Sequence, residues 1–232
     1  VWRSEFSFKR MTAAIACLVA VFAVNLAYGA WCLAQHSTLS PGPSILAIQT
    51  NLPQDNKIGW SPNDQVEDFL EFCELTIEAH HQAAARGEKV DLIAWPETML
   101  PGFGLEPETL AYLVEGHYDP GDGFARGIEA LRKRVGVPIL VGSPTYLNLR
   151  VEDGLWTWDT QYNSAYLLQG GPPYQRYDKS FLTPFGETMP YISNWKWLEQ
   201  KLLALGARGM KVELSSNPEI KLLTLQPNPS GY

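Results

Sequence analysis

The chain has 232 residues, of which 45% are hydrophobic, 12% aromatic and 19% charged. This composition is typical of a globular protein and excludes a disordered chain, which would be poorer in apolar and aromatic residues. The net charge of -7 argues against a strongly basic nucleic-acid-binding protein, and three cysteines are too few for a disulfide scaffold.

The first predicted element is a long apolar helix over residues 11–33, which contain no charged side chain. At about 1.5 Å per residue this helix is about 34 Å long, enough to cross a hydrocarbon core of about 30 Å. Two other interpretations stay open: a secretory signal peptide with a weak cleavage site at residues 27–29, and a buried core helix. The run is long for a signal peptide and lacks the polar stripe of a core helix, so one transmembrane helix is favoured.

The charges before this helix predict its orientation. Arg3, Lys9 and Arg10 precede it against a single acidic residue, Glu5. Under the positive-inside rule, residues 1–10 form a cytoplasmic flank, and everything after the helix lies on the outer face of the membrane.

A predicted linker, residues 34–43, is followed by a domain over residues 44–232 in which apolar runs alternate with amphipathic segments. Strands that alternate with helices predict an α/β layered domain, and completely apolar strands predict a sheet covered on both faces. The predicted strands cover residues 44–49, 90–95, 137–141, 162–168, 174–177, 211–214 and 220–225, and helices are predicted over 62–86, 105–114, 124–135 and 195–205.

Two of these helices show an apolar face in the sequence. Ser61 is a suitable N-cap with Pro62 at the first helical position, and Gly87 marks the end of that helix. Its expected buried face consists of Val66, Phe69, Leu70, Cys73, Ile77 and Ala84, and that of the helix over 124–135 consists of Phe124, Ile128, Leu131 and Val135.

A carboxylate directly follows one predicted buried strand. Residues 92–98 end in Trp-Pro-Glu-Thr, so Glu97 comes immediately after the proline that terminates the strand. Ligands of α/β sheets bind at strand ends, and a carboxylate beside apolar walls is suited to act as a general base. Taken alone, Glu97 is equally compatible with an ordinary loop acid.

A second charged group follows the strand over 174–177. Lys179 leads into a Pro-Phe-Gly turn, and Glu187 comes eight residues later. A lysine held beside a carboxylate stays charged and can stabilise an oxyanion. The alternative is a solvated lysine and glutamate that flank a surface loop.

In this order, the two motifs resemble the nitrilase superfamily of carbon-nitrogen hydrolases, and within it the apolipoprotein N-acyltransferase family. Further similarity lies in residues 49–51 (Gln-Thr-Asn), 141–143 (Val-Gly-Ser) and 162–165 (Tyr-Asn-Ser-Ala). The resemblance implies a nitrilase-like α-β-β-α sandwich, incomplete at its C-terminus and preceded by one transmembrane helix. It places the chain in the bacterial inner membrane with its catalytic domain on the periplasmic face.

The same resemblance implies the reaction and the roles of three residues. Glu97 would be the general base, Lys179 the oxyanion-stabilising lysine and Glu187 a second glutamate that supports the site. The family's cysteine thiolate takes an acyl group from a phospholipid as a thioester, and the α-amine of a diacylglyceryl-cysteine lipoprotein then accepts it. No metal or organic cofactor is implied, and the expected partners are the phospholipid, the lipoprotein and the membrane, with no nucleic acid.

The nucleophile of this reaction is not expected within the 232 residues. In the family the cysteine follows the lysine motif, whereas Cys73 precedes the Glu97 motif on the apolar face of a predicted helix. Cys17 and Cys32 lie in the predicted membrane segment. We therefore expect a fragment that carries the base and the lysine, that lacks the nucleophile and that is inactive by itself.

Two alternative functions remain at this point, and the role of two aromatic segments is also open. A membrane-tethered amidase would use water as the acceptor, and a non-catalytic nitrilase-like module would lack the cysteine altogether. The aromatic residues at 156–158 and 101–104 are compatible with core or edge packing and equally with a lipid-facing lid.

Overall fold

The computed structural model describes residues 8–35, 42–50, 60–183, 187 and 214–226. The chain divides into two compact units, Val1–Gly42 and Pro43–Tyr232. The predicted helix over 195–205 and residues 211–213 of a predicted strand lie outside the described residues.

The described part of the first unit forms the helix α1 (Phe8–Gln35), which includes all of the predicted apolar run. Within the described parts of the chain, it is the one helix long and apolar enough to cross a membrane, with a mean hydropathy of 2.1. None of its residues is buried in this structure. Asn25, its most polar central residue, donates its amide to the carbonyl of Val21 at 2.9 Å and so has a partner within the helix.

The described residues of the second unit are built on a mixed sheet of five strands: β1 (Ile45–Ala47), β2 (Leu92–Ala94), β3 (Ile139–Leu147), β6 (Thr160–Leu168) and β7 (Gln175–Asp178). A separate hairpin of β4 (Arg150–Glu152) and β5 (Leu155–Thr157) lies between β3 and β6 along the chain. The order in the sheet is β1-β2-β3-β6-β7, in which the first three strands are parallel and β6 and β7 are antiparallel to their neighbours.

Among the described residues, three helices lie between the parallel strands: α2 (Pro62–Ala85), α3 (Pro107–Glu115) and α4 (Gly123–Val135). The predicted start of α2 is confirmed, because Ser61 Oγ accepts from the amide of Asp64 at 3.2 Å and the Asp64 carboxylate accepts from the amide of Ser61. Gly87, with a φ of 71°, directly follows its last turn, as predicted.

The buried face of α4 is the predicted one, whereas the prediction for α2 is partly wrong. Val66 and Leu70 are exposed, and so is Ala84. Trp95 packs on Phe72 of this face, and its indole donates to the hydroxyl of Thr76 at 3.0 Å. Hydrophobic patterning could not place this contact, since it depends on a buried polar residue. The observed buried residues of α2 are Phe69, Phe72, Thr76 and Ala83.

The strand predictions are confirmed in position for β1, β2, β3, β6 and β7 and corrected in three respects. β1 is the outer strand of the described sheet, so Ile45 is exposed rather than buried. β3 runs on to Leu147 because it pairs with β6 over its full length. The segment 220–225 is not a strand, because Thr224 exchanges hydrogen bonds of 2.8 and 3.0 Å with the side-chain amide of Gln175 rather than with a strand backbone.

The two faces of the sheet differ, and this difference positions the site. Val141 and Tyr166 belong to the same hydrophobic cluster as the buried residues of α2 and α4. The opposite face carries Gly142, Ala165 and Tyr177, which line a cleft. The domain is therefore α/β, as predicted, with helices packed on one face and a cleft on the other.

Candidate active site

Glu97 lies in a loop that leaves β2 and crosses closely over β3. The amides of Met99 and Leu100 both donate to the carbonyl of Gly142, at 3.0 and 2.9 Å. A Cβ atom on Gly142 would come within 2.6 to 2.7 Å of backbone atoms of residues 96–98. Only glycine lets the loop approach this closely, so Gly142 determines how near to the sheet the Glu97 carboxylate is held.

Lys179 follows β7 and faces the same cleft. Its amide donates to the carbonyl of Asn163 at 2.8 Å, which extends the pairing of β6 and β7 by one residue. Its ammonium nitrogen lies 3.1 Å from Oε1 of Glu97 and 2.7 Å from Oε1 of Glu187. The structure thus brings together all three side chains that the sequence singled out.

Glu187 is held by its own loop as well as by the lysine. Its Oε2 accepts from the amide of Thr183 at 2.7 Å, and its amide donates to the carbonyl of Thr183 at 2.9 Å. Residues 184–186 lie outside the described residues. Both carboxylate oxygens of Glu187 are thus engaged, one by Lys179 and one by the Thr183 amide.

Hydrogen bonds within this cluster favour the charged forms of Lys179 and Glu187. The hydrogen bond to Glu187 raises the pKa of Lys179, and the Glu97 carboxylate adds to this, although partial burial opposes both. Burial opposes ionisation of Glu187, yet Lys179 and the Thr183 amide together lower its pKa. Near neutral pH the ammonium of Lys179 therefore stays protonated beside the cleft.

Asn163 is a site residue whose role the sequence did not show. Its side-chain NH2 donates to Oε1 of Glu97, and its side-chain oxygen accepts from the hydroxyl of Thr98 at 3.3 Å. Its backbone carbonyl is the acceptor for Lys179. Asn163 thus contacts both members of the Glu97–Lys179 pair. The signal in the sequence was a polar amide side chain within a predicted strand, in the segment 162–165 that resembles the family.

The cleft beside these residues has a volume of about 350 Å³. Glu97, Asn163 and Lys179 form its polar end, and apolar side chains form its floor, among them Leu140, Ala165 and Tyr177. Glu97 is the most exposed of the charged residues, with 60% of its side chain accessible against 29% for Lys179. A carbonyl group that enters this end would meet an ammonium group and a carboxylate within one hydrogen-bond length of each other.

Cys73 does not belong to this site. It packs against the hydrophobic cluster of the helical layer and does not line the cleft. Burial, with a smaller effect of Glu74, raises the pKa of its thiol to about 12. A reactive thiolate is therefore negligible near neutral pH, in agreement with the prediction of a core role.

The aromatic segments pack against each other, which favours the packing interpretation over the lid. The ring of Trp156 lies 4.8 Å from that of Phe103 and 4.7 Å from that of Tyr118. Trp158 packs on Tyr146 with a ring separation of 4.8 Å. These contacts attach the β4–β5 hairpin to the domain.

A family model described as carbon-nitrogen hydrolase matches residues 54–201, and the chain belongs to this family. The match confirms the nitrilase-like α/β fold that the sequence predicted. Solved structures with some similarity include a carbon-nitrogen hydrolase from Helicobacter pylori G27, which is 15% identical with a TM-score of 0.36 over 62% of this chain and 41% of that chain. The NitN amidase from Neterenkonia sp. AN1 is 18% identical, with a TM-score of 0.33 over 62% and 46%.

Curated relatives are similar over most of the chain. An apolipoprotein N-acyltransferase of Chlorobaculum tepidum is 28% identical over 169 residues, which are 69% of this chain and 28% of that protein. An apolipoprotein N-acyltransferase of Sinorhizobium medicae is 27% identical over 189 residues, 78% of this chain and 31% of that protein. The chain thus spans less than a third of the length of these two relatives.

Proposed function

We propose that this chain is part of an N-acyltransferase that moves a fatty acyl group from a phospholipid to the α-amine of a diacylglyceryl-cysteine lipoprotein. The observation that carries the proposal is Lys179, whose ammonium contacts Glu97 and Glu187 at 3.1 and 2.7 Å at the edge of the cleft. The names of the curated relatives support the choice of this reaction among those of the family.

The proposed reaction has two halves, which use the same two side chains. A cysteine thiol loses its proton to Glu97, and its sulfur forms a bond to the ester carbonyl carbon of the phospholipid. The resulting oxyanion is stabilised by the ammonium of Lys179. The ester C–O bond then breaks, and the leaving lysophospholipid oxygen takes the proton from Glu97, which leaves an acyl thioester.

In the second half, the lipoprotein amine attacks the thioester carbon and passes a proton to Glu97. A second oxyanion forms beside Lys179, after which the C–S bond breaks and the thiolate regains the proton. Glu187 keeps Lys179 charged and oriented throughout. Splitting one difficult acyl transfer into two easier steps is the advantage of a covalent intermediate.

The proposal assigns the nucleophile to a cysteine outside the 232 residues. Cys73 is unsuited because its thiol is packed against the core with a raised pKa. Cys17 and Cys32 lie in α1, in the other unit of the chain. This assignment predicts that the 232 residues alone do not form an acyl-enzyme.

The proposal also places the protein in the bacterial inner membrane, with α1 across the bilayer and the catalytic domain on the periplasmic side. The unburied apolar surface of α1 supports a lipid environment. The basic residues Arg3, Lys9 and Arg10 support a cytoplasmic N-terminus. A cysteine-accessibility assay on cells, with Ser216→Cys as a reporter in the exposed segment after the cleft, tests the orientation. Labelling by a membrane-impermeant maleimide from outside is expected, and labelling only after lysis would contradict it.

A hydrolytic alternative uses the same residues with water as the second acceptor, and a non-catalytic module would use none of them. One assay separates both from acyl transfer. The full-length protein of which this chain is proposed to be a part, called the parent protein below, is purified in detergent. It then receives a phospholipid with a labelled acyl chain and a diacylglyceryl-cysteine peptide. Labelled N-acylated peptide supports the proposal, free labelled fatty acid supports hydrolysis, and neither product supports the non-catalytic module.

Variants assign the reaction to this site. Glu97→Gln and Lys179→Met should each lower acyl transfer by about 10²-fold or more, because they remove the base and the oxyanion partner. Glu88→Gln and Lys89→Met are matched controls, since both residues are exposed and pair only locally, with Arg86 and Asp91. Acyl-thioester trapping on the 232-residue chain should label no cysteine, and a labelled Cys73 would refute the assignment.

A further inference from the structure

A buried carboxylate, Asp178, directly precedes Lys179. Its residue is 3% exposed, and both of its oxygens are engaged by neighbouring side chains. Oδ1 accepts a hydrogen bond from the Ser164 hydroxyl at 2.7 Å and lies 2.9 Å from Nε of Arg176 in an ion pair. Oδ2 accepts from Arg176 Nη2 at 3.2 Å and from the Asn217 side-chain amide at 3.0 Å.

The network extends beyond this carboxylate to the start of α3. Nη1 of Arg176 lies 2.5 Å from Oε1 of Glu106, which also accepts from the hydroxyl of Tyr166 at 3.2 Å. Glu106 is the N-cap residue of α3. A chain of alternating charges, Glu106–Arg176–Asp178, therefore connects a helix start to β7, the strand that ends at the site.

The register of β6 and β7 relates this network to the cleft. Ser164 and Asp178 are direct partners across the two strands. Their neighbours Asn163 and Lys179 line the cleft and both contact Glu97. Successive side chains of a strand alternate between the two faces of the sheet. The Ser164–Asp178 side-chain pair therefore joins the strands on the face opposite to the one on which Asn163 and Lys179 line the cleft.

Asn217 makes a second attachment at the same point. Its side chain donates to Asp178, and its backbone amide donates to the carbonyl of Lys179 at 3.3 Å. Together with the Lys179 amide, which donates to Asn163, these bonds hold the backbone of Lys179 on both sides. The carboxylate of Asp178 is what joins Ser164, Arg176 and Asn217 at this position.

We propose that Asp178 is a positioning residue that holds Lys179 in contact with Glu97 and Glu187 without touching the cleft itself. An uncharged amide at this position cannot replace the carboxylate, because its NH2 group would face donors of Arg176 or Asn217. Loss of the charge frees the end of β7 and lets the ammonium of Lys179 move away from its two carboxylate partners. The geometric part stands by itself, and its consequence for catalysis rests on the proposed function.

The test measures the reactivity of Lys179 in the folded chain, which requires no turnover. The charged groups that face its ammonium in the described residues are Glu97 and Glu187, and both favour the unreactive charged form. An amine-reactive acetylating reagent, with mass-spectrometric readout from pH 7 to 11, gives the apparent pKa of this lysine. In Asp178→Asn a fall of about half a pKa unit, seen as about threefold faster labelling near pH 8.5, is expected.

Two controls separate positioning from general loosening. Lys89 in the same chain reports overall change and should label as in the wild type. Asp159→Asn makes the same chemical change at an exposed aspartate that pairs with Arg150, and it should leave Lys179 unchanged. Wild-type labelling of Lys179 in folded Asp178→Asn would overturn the proposal, as would an equal rise at Lys89.

A milder variant keeps the proposal testable where Asp178→Asn fails to fold. Ser164→Ala removes one hydrogen bond of 2.7 Å and keeps the charge, so a smaller rise in Lys179 labelling is expected, and no rise overturns the proposal. In the acyl-transfer assay, Asp178→Asn should lower kcat more than it raises KM. Faster Lys179 labelling in Asp178→Asn, together with no acyl transfer by the wild-type full-length protein, would uphold the positioning role and refute the proposed function.

Discussion

Gly142 lies directly beneath Glu97, so that a Cβ atom on the glycine would come within 2.7 Å of the Cα atom of the glutamate. Gly142→Ala should therefore displace the loop after β2, destabilise the domain by about 1–3 kcal/mol and lower acyl transfer. Thermal unfolding and the lipopeptide assay measure the two effects. Gly171→Ala is the matched control, because nothing lies within 4 Å of its added Cβ. Equal activity of the two variants would contradict a positioning role for Gly142.

Asn163→Ala should weaken catalysis more than stability. The substitution removes the amide that donates to Glu97 and the acceptor for Thr98, and it leaves the backbone bond to Lys179 in place. We expect a fall in kcat of about 10-fold or more, because the carboxylate loses its fixed orientation. Asn148→Ala, which removes an exposed amide that donates to Asp159, is the control and should keep full activity.

The charge pair of Lys179 and Glu187 predicts how stability depends on pH. Glu187 has a lowered pKa, so its contribution is present above the usual value of 4.5 and is lost as the pH falls through the folded-state pKa. Lys179 has a raised pKa, so its contribution is present below 10.5 and is lost as the pH rises through the folded-state pKa. The difference in melting temperature between wild type and Glu187→Gln should be constant from about pH 6 to 9 and shrink at both extremes. A difference that does not change with pH would show that the pair contributes no stability through its charges.

Cys73→Ala should leave acyl transfer by the parent protein unchanged and cost about 1 kcal/mol of stability, because the thiol acts as a small apolar side chain. Chemical denaturation and the lipopeptide assay check the two parts. Its raised pKa, about 12, also predicts slow alkylation by iodoacetamide at pH 8 in the folded chain. Rapid alkylation under these conditions would show that the residue is more open than its packing indicates.

Position after a strand only made Glu97 and Lys179 candidates, and the family resemblance of their two motifs singled them out together with Glu187. Gly142 and Asn163 lie in segments that share this resemblance, but their roles, like that of Asp178, could not be predicted because they depend on neighbours that are distant in the sequence. Gly142 shows this most clearly, because an Ala-sized clash with the Glu97 loop is a property of the folded chain alone.

The fold predictions failed where a tertiary contact or an overlooked turn decided the outcome. The prediction for α2 missed Phe72 and the polar Thr76, and apolar patterning passes over Thr76 because its burial goes with a hydrogen bond from Trp95. The β4–β5 hairpin was not predicted, although residues 153–154 are a turn signal in the sequence. Asp153 and Gly154 form its turn with φ values of 52° and 76°, and an Asp-Gly pair is typical of a two-residue hairpin turn.

The unequal contacts of Lys179 have a consequence for the order of events in the proposed reaction. Glu187 is the nearer partner and accepts a backbone hydrogen bond in addition, whereas Glu97 is farther and more exposed. In the proposed reaction, the oxygen of an incoming ester carbonyl group is therefore expected to displace Glu97 from the ammonium rather than Glu187. Substrate binding would then make the Glu97 carboxylate available to take the thiol proton, while the ammonium already contacts the oxygen on which the negative charge forms.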